Sequence, residues 1–165
     1  MELKELITSV EDFPIKGVLF RDISPLLKNP KALDFISNEF SKKFDLNKVD
    51  YIAGIESRGF ILAMLLAAKA NKGFIPLRKA GKLPPPVVAE SYSLEYGNAT
   101  LEMQKGQGNI VLLDDVLATG GTLVAGINLA EKAGYKVLDV GVLINLTFLN
   151  RLQFNSQKIV SLVEY

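Results

Sequence analysis

Two adjacent carboxylates followed closely by a glycine pair are the densest chemistry in this sequence: Asp114 and Asp115 lead through Val-Leu-Ala118 into Thr119-Gly120-Gly121-Thr122. Carboxylate oxygens accept hydrogen bonds, which suits the vicinal hydroxyls of a sugar. The Thr-Gly-Gly-Thr turn can wrap free backbone amides, two hydroxyls and a helix N-terminus around a dianionic phosphate, with glycine allowing close approach. Two like charges side by side at a buried strand end repel each other and need a ligand or a cation. Taken singly, these residues make a polar strand end, an N-cap and a tight turn. In this order they describe a holder for ribose 5-phosphate, with Asp114 and Asp115 on the hydroxyls and Ala118, Thr119, Gly120, Gly121 and Thr122 around the phosphate. No G-x-G-x-x-G follows a strand and no G-x-x-x-x-G-K-[ST] occurs, so the common dinucleotide and triphosphate loops are excluded.

Such a turn works only where a sheet holds it. Ile110 to Leu113 reads as a short apolar strand, buried on both faces of a parallel sheet, that feeds straight into Asp114. Ligands of open parallel sheets sit beyond the carboxyl ends of strands, where these carboxylates fall. Leu123, Ile127 and Ala130 put an apolar stripe on a helix starting near Gly120, and Gly134 is expected to end it with φ above zero. Val137 to Ile144 follows as a strand, completing a βαβ unit. An earlier unit comprises strand Tyr51 to Ile55, a mostly buried helix Phe60 to Ala70, and strand Phe74 to Arg78.

Around these units the chain is punctuated by its prolines and glycines. Leu3 to Val10 predicts a short amphipathic helix, and Phe13 to Phe20 an irregular loop with exposed apolar residues. Asn29-Pro30 supplies an N-cap and a first-turn proline for a helix to about Phe44, with Leu33, Ile36, Phe40 and Phe44 on one face. Ala80 to Pro86 carries three consecutive prolines and is expected to be an exposed, extended loop. Tyr92 to Tyr96 and Ala99 to Met103 predict a hairpin about Gly97-Asn98, and Ile159 to Val163 the last strand. The expected fold class is α/β: a doubly wound, mainly parallel sheet flanked by helices. It forms a single domain over 1–165, with an N-terminal hood at about 1–30 and a flexible lid hairpin at about 80–96.

Composition narrows the chemistry further. The chain has 165 residues, 19 Lys and Arg against 18 Asp and Glu, and a net charge of +1, so no global field marks a nucleic-acid or membrane partner. Histidine is absent, which excludes a Ser-His-Asp triad, a histidine base and histidine-ligated zinc. Cysteine is absent too, so there are no disulfides and no thiol nucleophile. The N-terminus is charged and no apolar run approaches the roughly 18 residues of a spanning helix, so a cytoplasmic location is expected.

The segment V-L-L-D-D-V-L-A-T-G-G-T (111–122) resembles the phosphoribosyl-pyrophosphate signature of type I phosphoribosyltransferases, and its L-A-T-G-G-T form resembles that of the adenine-specific members. Four more blocks resemble that family in the same order: F-P-I-K-G-V-L-F-R-D-I-S-P-L-L (13–27), G-I-E-S-R-G-F (54–60), R-K-A-G-K-L-P (78–84) and Y-S-L-E-Y-G (92–97). The resemblance implies transfer of a phosphoribosyl group from phosphoribosyl pyrophosphate to adenine, giving AMP and pyrophosphate. It also implies Mg2+ carried mainly on the pyrophosphate oxygens, and a homodimer.

Residue roles follow from the same resemblance. Arg58, with Glu56 and Ser57 beside it, would face pyrophosphate and offer bidentate hydrogen bonds as charge develops on the leaving group. Arg78, Lys79 and Lys82 would grip the same group, and the loop they flank would close to keep water from an oxocarbenium-like state. Glu95 is the candidate to exchange a proton with adenine, with Tyr96 closing beside it. Phe20 either stacks on the purine or plugs the loop beneath it, and the backbone of Leu19 and Arg21 would read the edge of the base. Two rivals keep parts of this picture: the same chemistry on another purine, and a non-enzymatic regulator that binds phosphoribosyl pyrophosphate. The family commonly has an acidic residue after the strand ending at Ile144 and later a Gly-Arg pair; Asn145 and Asn150-Arg151 stand there instead, and no site residue is assigned beyond Thr122.

Overall fold

The computed structural model describes residues 1–94 and 97–165. A 3-10 turn, Leu3–Leu6, leads into strand β1 (Thr8–Val10), which pairs antiparallel with β2 (Phe20–Asp22). The amphipathic helix expected over Leu3 to Val10 is thus only one turn. Thr8 and Val10 are β-branched, and β2 supplies the hydrogen bonds that a second helical turn would have needed.

Helix α1 (Ser24–Leu27) starts behind Asp22, whose carboxylate accepts from Ser24 N–H at 2.8 Å. Helix α2 (Pro30–Lys43) begins as its sequence predicts, with the Asn29 side chain accepting from the amides of Lys31 and Ala32 and Pro30 in the first turn. Ile36, Phe40 and Phe44 are buried, and the rings of Phe40 and Phe44 stack at 5.9 Å. Burying a residue such as Phe40 contributes about 1.5–3 kcal/mol relative to exposure.

Strand β3 (Tyr51–Ile55), helix α3 (Arg58–Ala70) and strand β4 (Gly73–Lys79) form the first βαβ unit, with β3 and β4 parallel. Strands β5 (Val87–Leu94) and β6 (Gly97–Gln104) form the antiparallel hairpin. Strand β7 (Gly108–Leu117), helix α4 (Gly121–Lys132) and strand β8 (Tyr135–Asn145) make the second parallel unit, and Gly134 follows α4 at φ +104° as expected. A small hairpin of β9 (Gln153–Phe154) and β10 (Gln157–Lys158), not anticipated from the sequence, precedes β11 (Val160–Glu164). The main sheet has the order β11-β8-β7-β3-β4-β6-β5, parallel from β11 to β4 and antiparallel at the β6 and β5 edge.

Alternation along the central strands feeds two cores. Ile52, Val111 and Leu113 pack with Phe40 of α2 and Leu62 and Leu66 of α3, whereas Ala53, Ile55, Ile110 and Leu112 pack with Leu123 and Leu129 of α4. This is the doubly wound α/β arrangement that the strand and helix alternation predicts.

Three further features differ from expectation. Helix α3 buries only one stripe, Leu62, Ala63, Leu66 and Ala67, and leaves Ile61 and Met64 exposed, because the sheet and α2 cover one side of it alone. The hairpin begins at Val87 rather than Tyr92, and Gly97-Asn98 lie in β6 instead of the turn, with Leu94 opposite Gly97. Strand β7 continues past Leu113 to Leu117, because β8 goes on pairing with it after β3 has ended.

Candidate active site

Asp114 and Asp115 sit within β7 at the point where β3 stops pairing, and both are buried. The N-terminus of α3 approaches them closely. A Cβ placed on Gly59 would lie 2.9 Å from Asp114 Oδ1 and 3.0 Å from the Leu113 carbonyl oxygen, so only glycine fits. That approach carries Arg58 to the carboxylate pair, with Arg58 Nε 2.5 Å from Asp115 Oδ2. The contact is an ion pair without hydrogen-bond alignment, and among the described residues Asp115 Oδ2 has no directed donor. The Asp115 amide donates to Asp114 Oδ1 at 2.8 Å. Burial, and then the neighbouring Asp115 carboxylate, push Asp114 well above the ordinary carboxylate range. Burial beside a like charge thus disfavours a second negative charge in this cluster, a strain that a bound cation or hydroxyl donors would relieve.

Beyond Leu117 the chain leaves the sheet through Ala118 and Thr119. Gly120 takes φ +99°, a conformation that glycine adopts freely, and turns the chain into α4. Among the described residues no side chain caps this helix. Its first turn opens on a cavity of about 460 Å³ lined by Ala118 to Leu123, with Ser93 and Leu94 of β5 and Leu149 forming other walls. Uncapped amides around such a cavity can receive an anion.

Glu56 organises the basic residues. Its buried carboxylate pairs with Arg78 Nη2 at 3.0 Å and Lys82 Nζ at 2.8 Å, and accepts from Lys79 N–H at 2.8 Å. The hydrogen bond from Arg78 chiefly, with Lys82 and the Lys79 amide, holds its pKa down at about 2. Glu56, Arg78, Lys79 and Lys82 are therefore brought together, but Arg78 and Lys82 are clasped by a carboxylate and Lys79 contributes its backbone. The Glu56–Ser57 peptide is cis, and Ser57 is exposed. The Ala80 to Pro86 segment is irregular and largely exposed, as expected, and the Gly81 amide is tied to Glu102 at 2.9 Å.

On the hood side, Phe20 lines a cavity of about 390 Å³ with Phe13, Asp22, Leu27 and Arg58. Phe13 meets the Phe20 ring edge to face at 5.1 Å, and the Arg58 guanidinium lies 4.8 Å above it. Phe20 is thus a cavity wall with one face taken by a cation, a role between the stacking platform and the plug. Leu19 is exposed. The Arg21 carbonyl accepts from Arg58 Nη1 at 3.2 Å, while the Arg21 guanidinium turns away to Ser9 and to the Tyr165 ring, 3.8 Å from its centroid. Glu95 and Tyr96 lie outside the described residues.

Sequence reasoning missed Leu149, whose apolar side chain gives no chemical signal, and the buried Asn145, a polar residue ending an apolar strand beside β7. Among the described residues no three carboxylates converge as a metal cage requires. The donor set at the strand end is two carboxylates, one already facing a guanidinium, which suits a cation whose remaining ligands come from a bound phosphate compound.

A phosphoribosyl transferase domain model matches residues 22–155. Adenine phosphoribosyltransferase of Bdellovibrio bacteriovorus is 60% identical over 165 residues, all of both chains. The crystal structure of adenine phosphoribosyltransferase from Thermoanaerobacter pseudethanolicus superposes with a TM-score of 0.91 at 39% identity, covering 99% of this chain and 98% of that one. The Saccharomyces cerevisiae enzyme, complexed with D-2,5-dideoxy-2,5-imino-altritol 1,6-bisphosphate and adenine, superposes with a TM-score of 0.86 at 32% identity over 98% of this chain and 96% of that one. With a buried carboxylate pair, an uncapped Thr-Gly-Gly-Thr turn and this kinship over its whole length, the chain belongs to the adenine phosphoribosyltransferase family.

Proposed function

We propose that this chain transfers the 5-phosphoribosyl group from phosphoribosyl pyrophosphate to adenine, giving AMP and pyrophosphate in purine salvage. The observation that carries the reading is the junction at one strand end of buried Asp114 and Asp115, the uncapped Thr119 to Thr122 turn and Arg58. Binding of adenine by the yeast relative supports the choice of base.

In this reading Asp114 and Asp115 hold the ribose hydroxyls, and the turn from Ala118 to Thr122 holds the 5-phosphate. Arg58 meets the pyrophosphate, supported by Ser57 and by Arg78, Lys79 and Lys82 once Glu56 shares them with the substrate. The bond from the anomeric carbon to pyrophosphate breaks and a bond to the base nitrogen forms, while Glu95 receives the proton the base sheds. Tyr96 closes beside it. Phe20 bounds the base, and the backbones of Leu19 and Arg21 read its edge after Arg58 leaves the Arg21 carbonyl. Rate enhancement comes mainly from positioning and electrostatics.

Magnesium fits this donor set through the pyrophosphate oxygens, with the two aspartates nearby, and when bound it neutralises charge on the leaving group. The protein is a cytoplasmic homodimer in this reading; exposed Ile61 and Met64 on α3 offer an apolar face to a second copy, and no described helix is long and apolar enough to cross a membrane. Incubation with adenine, phosphoribosyl pyrophosphate and magnesium is expected to yield AMP and pyrophosphate in equal amounts. Absence of AMP overturns the reading.

A further inference from the structure

We propose that Asn150 is a positioning residue that aims the Thr119 amide at the substrate phosphate, with Asn145 holding it in place; the inference rests on the functional reading above. Strand β8 is apolar over its last turns of sequence and then ends in Asn145, only 3% exposed. The chain doubles back from there and brings Asn150 against the phosphate-facing turn. Asn150 Nδ2 lies 2.9 Å from the Ala118 carbonyl oxygen, 3.0 Å from that of Leu146 and 3.1 Å from Asn145 Oδ1. Its Oδ1 accepts from Leu152 N–H at 3.2 Å. The two amide hydrogens are therefore shared among three acceptors, and no polar atom of this side chain is idle.

The consequence for Thr119 follows from peptide geometry. The Ala118 carbonyl and the Thr119 N–H belong to one planar trans peptide and point in opposite directions. A donor that fixes the carbonyl on the Asn150 side fixes the amide on the other side, where Ala118 and Thr119 line the cavity beside α4. The neighbouring residues are braced from the same segment. Leu146 N–H donates to the Leu117 carbonyl at 2.9 Å, and Leu152 Cδ2 comes within 3.2 Å of where a Cβ on Gly120 would be. A turn that depends on glycine at positive φ and, among the described residues, has no side-chain cap needs such external support to hold its amides convergent. Asparagine suits the position because it donates and accepts at once. A carboxylate there would put an acceptor oxygen, in place of the donating Nδ2, against the Ala118 and Leu146 carbonyls.

The test compares Asn150→Ala and Asn150→Asp with the wild-type protein. Steady-state KM is measured for each substrate, ribose 5-phosphate affinity by calorimetry, and the thermal transition for each protein. Loss of one aimed hydrogen bond to a charged group is expected to raise KM for phosphoribosyl pyrophosphate and weaken ribose 5-phosphate by about ten- to thirtyfold, at the lower end of what such bonds are worth. KM for adenine is expected to stay within about twofold, as the base does not touch this turn. Asn150→Asp matches the volume and keeps the acceptor for Leu152, so it reads the same contact should Asn150→Ala melt early. Unchanged ribose 5-phosphate affinity in both variants overturns the proposal, and so does an equal rise in both KM values. A wild-type protein that makes no AMP would instead refute the functional reading, and the ribose 5-phosphate titration would still decide the role of Asn150.

Discussion

Arg58 Nε lies 2.5 Å from Asp115 Oδ2, and this contact joins the start of α3 to the end of β7 at the mouth of the site. The same guanidinium covers the Phe20 ring and donates to the Arg21 carbonyl. Arg58 therefore spans the carboxylate pair and the hood, and in the proposed reading substrate exchanges these protein partners for its own oxygens. Asp115→Asn removes both the negative charge that pairs with Arg58 and a strong acceptor for a hydroxyl. KM for phosphoribosyl pyrophosphate is expected to rise by about ten- to a hundredfold, the worth of a hydrogen bond to a charged group. Initial-rate kinetics at saturating adenine check this.

Asp114 is held at a cost to folding. Its folded pKa is raised above the unfolded 3.8, so its contribution to stability is full below that value and is lost as pH rises through the folded pKa. The loss is complete once the pH exceeds the folded pKa. Asp114→Asn is expected to raise the melting temperature relative to the wild-type protein increasingly as pH rises above the unfolded pKa, and to leave it unchanged below that value. Melting curves of both proteins across that range supply the check.

Glu56 behaves in the opposite sense. Its folded pKa of about 2 lies below the unfolded 4.5, so its ion pairs stabilise the fold above 4.5 and that stability is lost as pH falls from 4.5 toward 2. Glu56→Gln is expected to flatten the acid limb of stability in that window. Urea unfolding at several pH values between about 2 and 6 would reveal it.

Glu95 is assigned a proton rather than a binding contact. Glu95→Gln is expected to lower kcat by about a hundredfold or more, the usual worth of general acid–base catalysis, and to leave AMP affinity within about threefold. A fully active variant would remove Glu95 from the chemistry.

The two βαβ units were legible because their strands are apolar, α3 because its run of good helix formers has no proline, α4 because of its apolar stripe, and α2 because Asn29-Pro30 marks its start. Asp114 to Thr122 was legible as a candidate site because its parts are contiguous. What the sequence hid depends on partners far along the chain. Thr8 to Val10 is a strand only because Phe20 to Asp22 lies beside it. Arg78 and Lys82 look free until Glu56 is found 22 and 26 residues earlier, and Asn150 looks like a loop residue until Ala118, 32 residues before it, is seen to be its acceptor. Gly97-Asn98 reads as a turn by residue type, yet pairing with β5 draws both into a strand.

The most direct measurement is the rate of pyrophosphate release with adenine, hypoxanthine, guanine and xanthine in parallel, under saturating phosphoribosyl pyrophosphate and magnesium. In the proposed reading a backbone amide and a carbonyl of the hood face the base, which would match adenine and oppose the 6-oxopurines, so adenine is expected to exceed every other base by at least about a hundredfold in kcat/KM. Equal or faster release with a 6-oxopurine would contradict the adenine assignment, and no release with any base would contradict the enzyme itself.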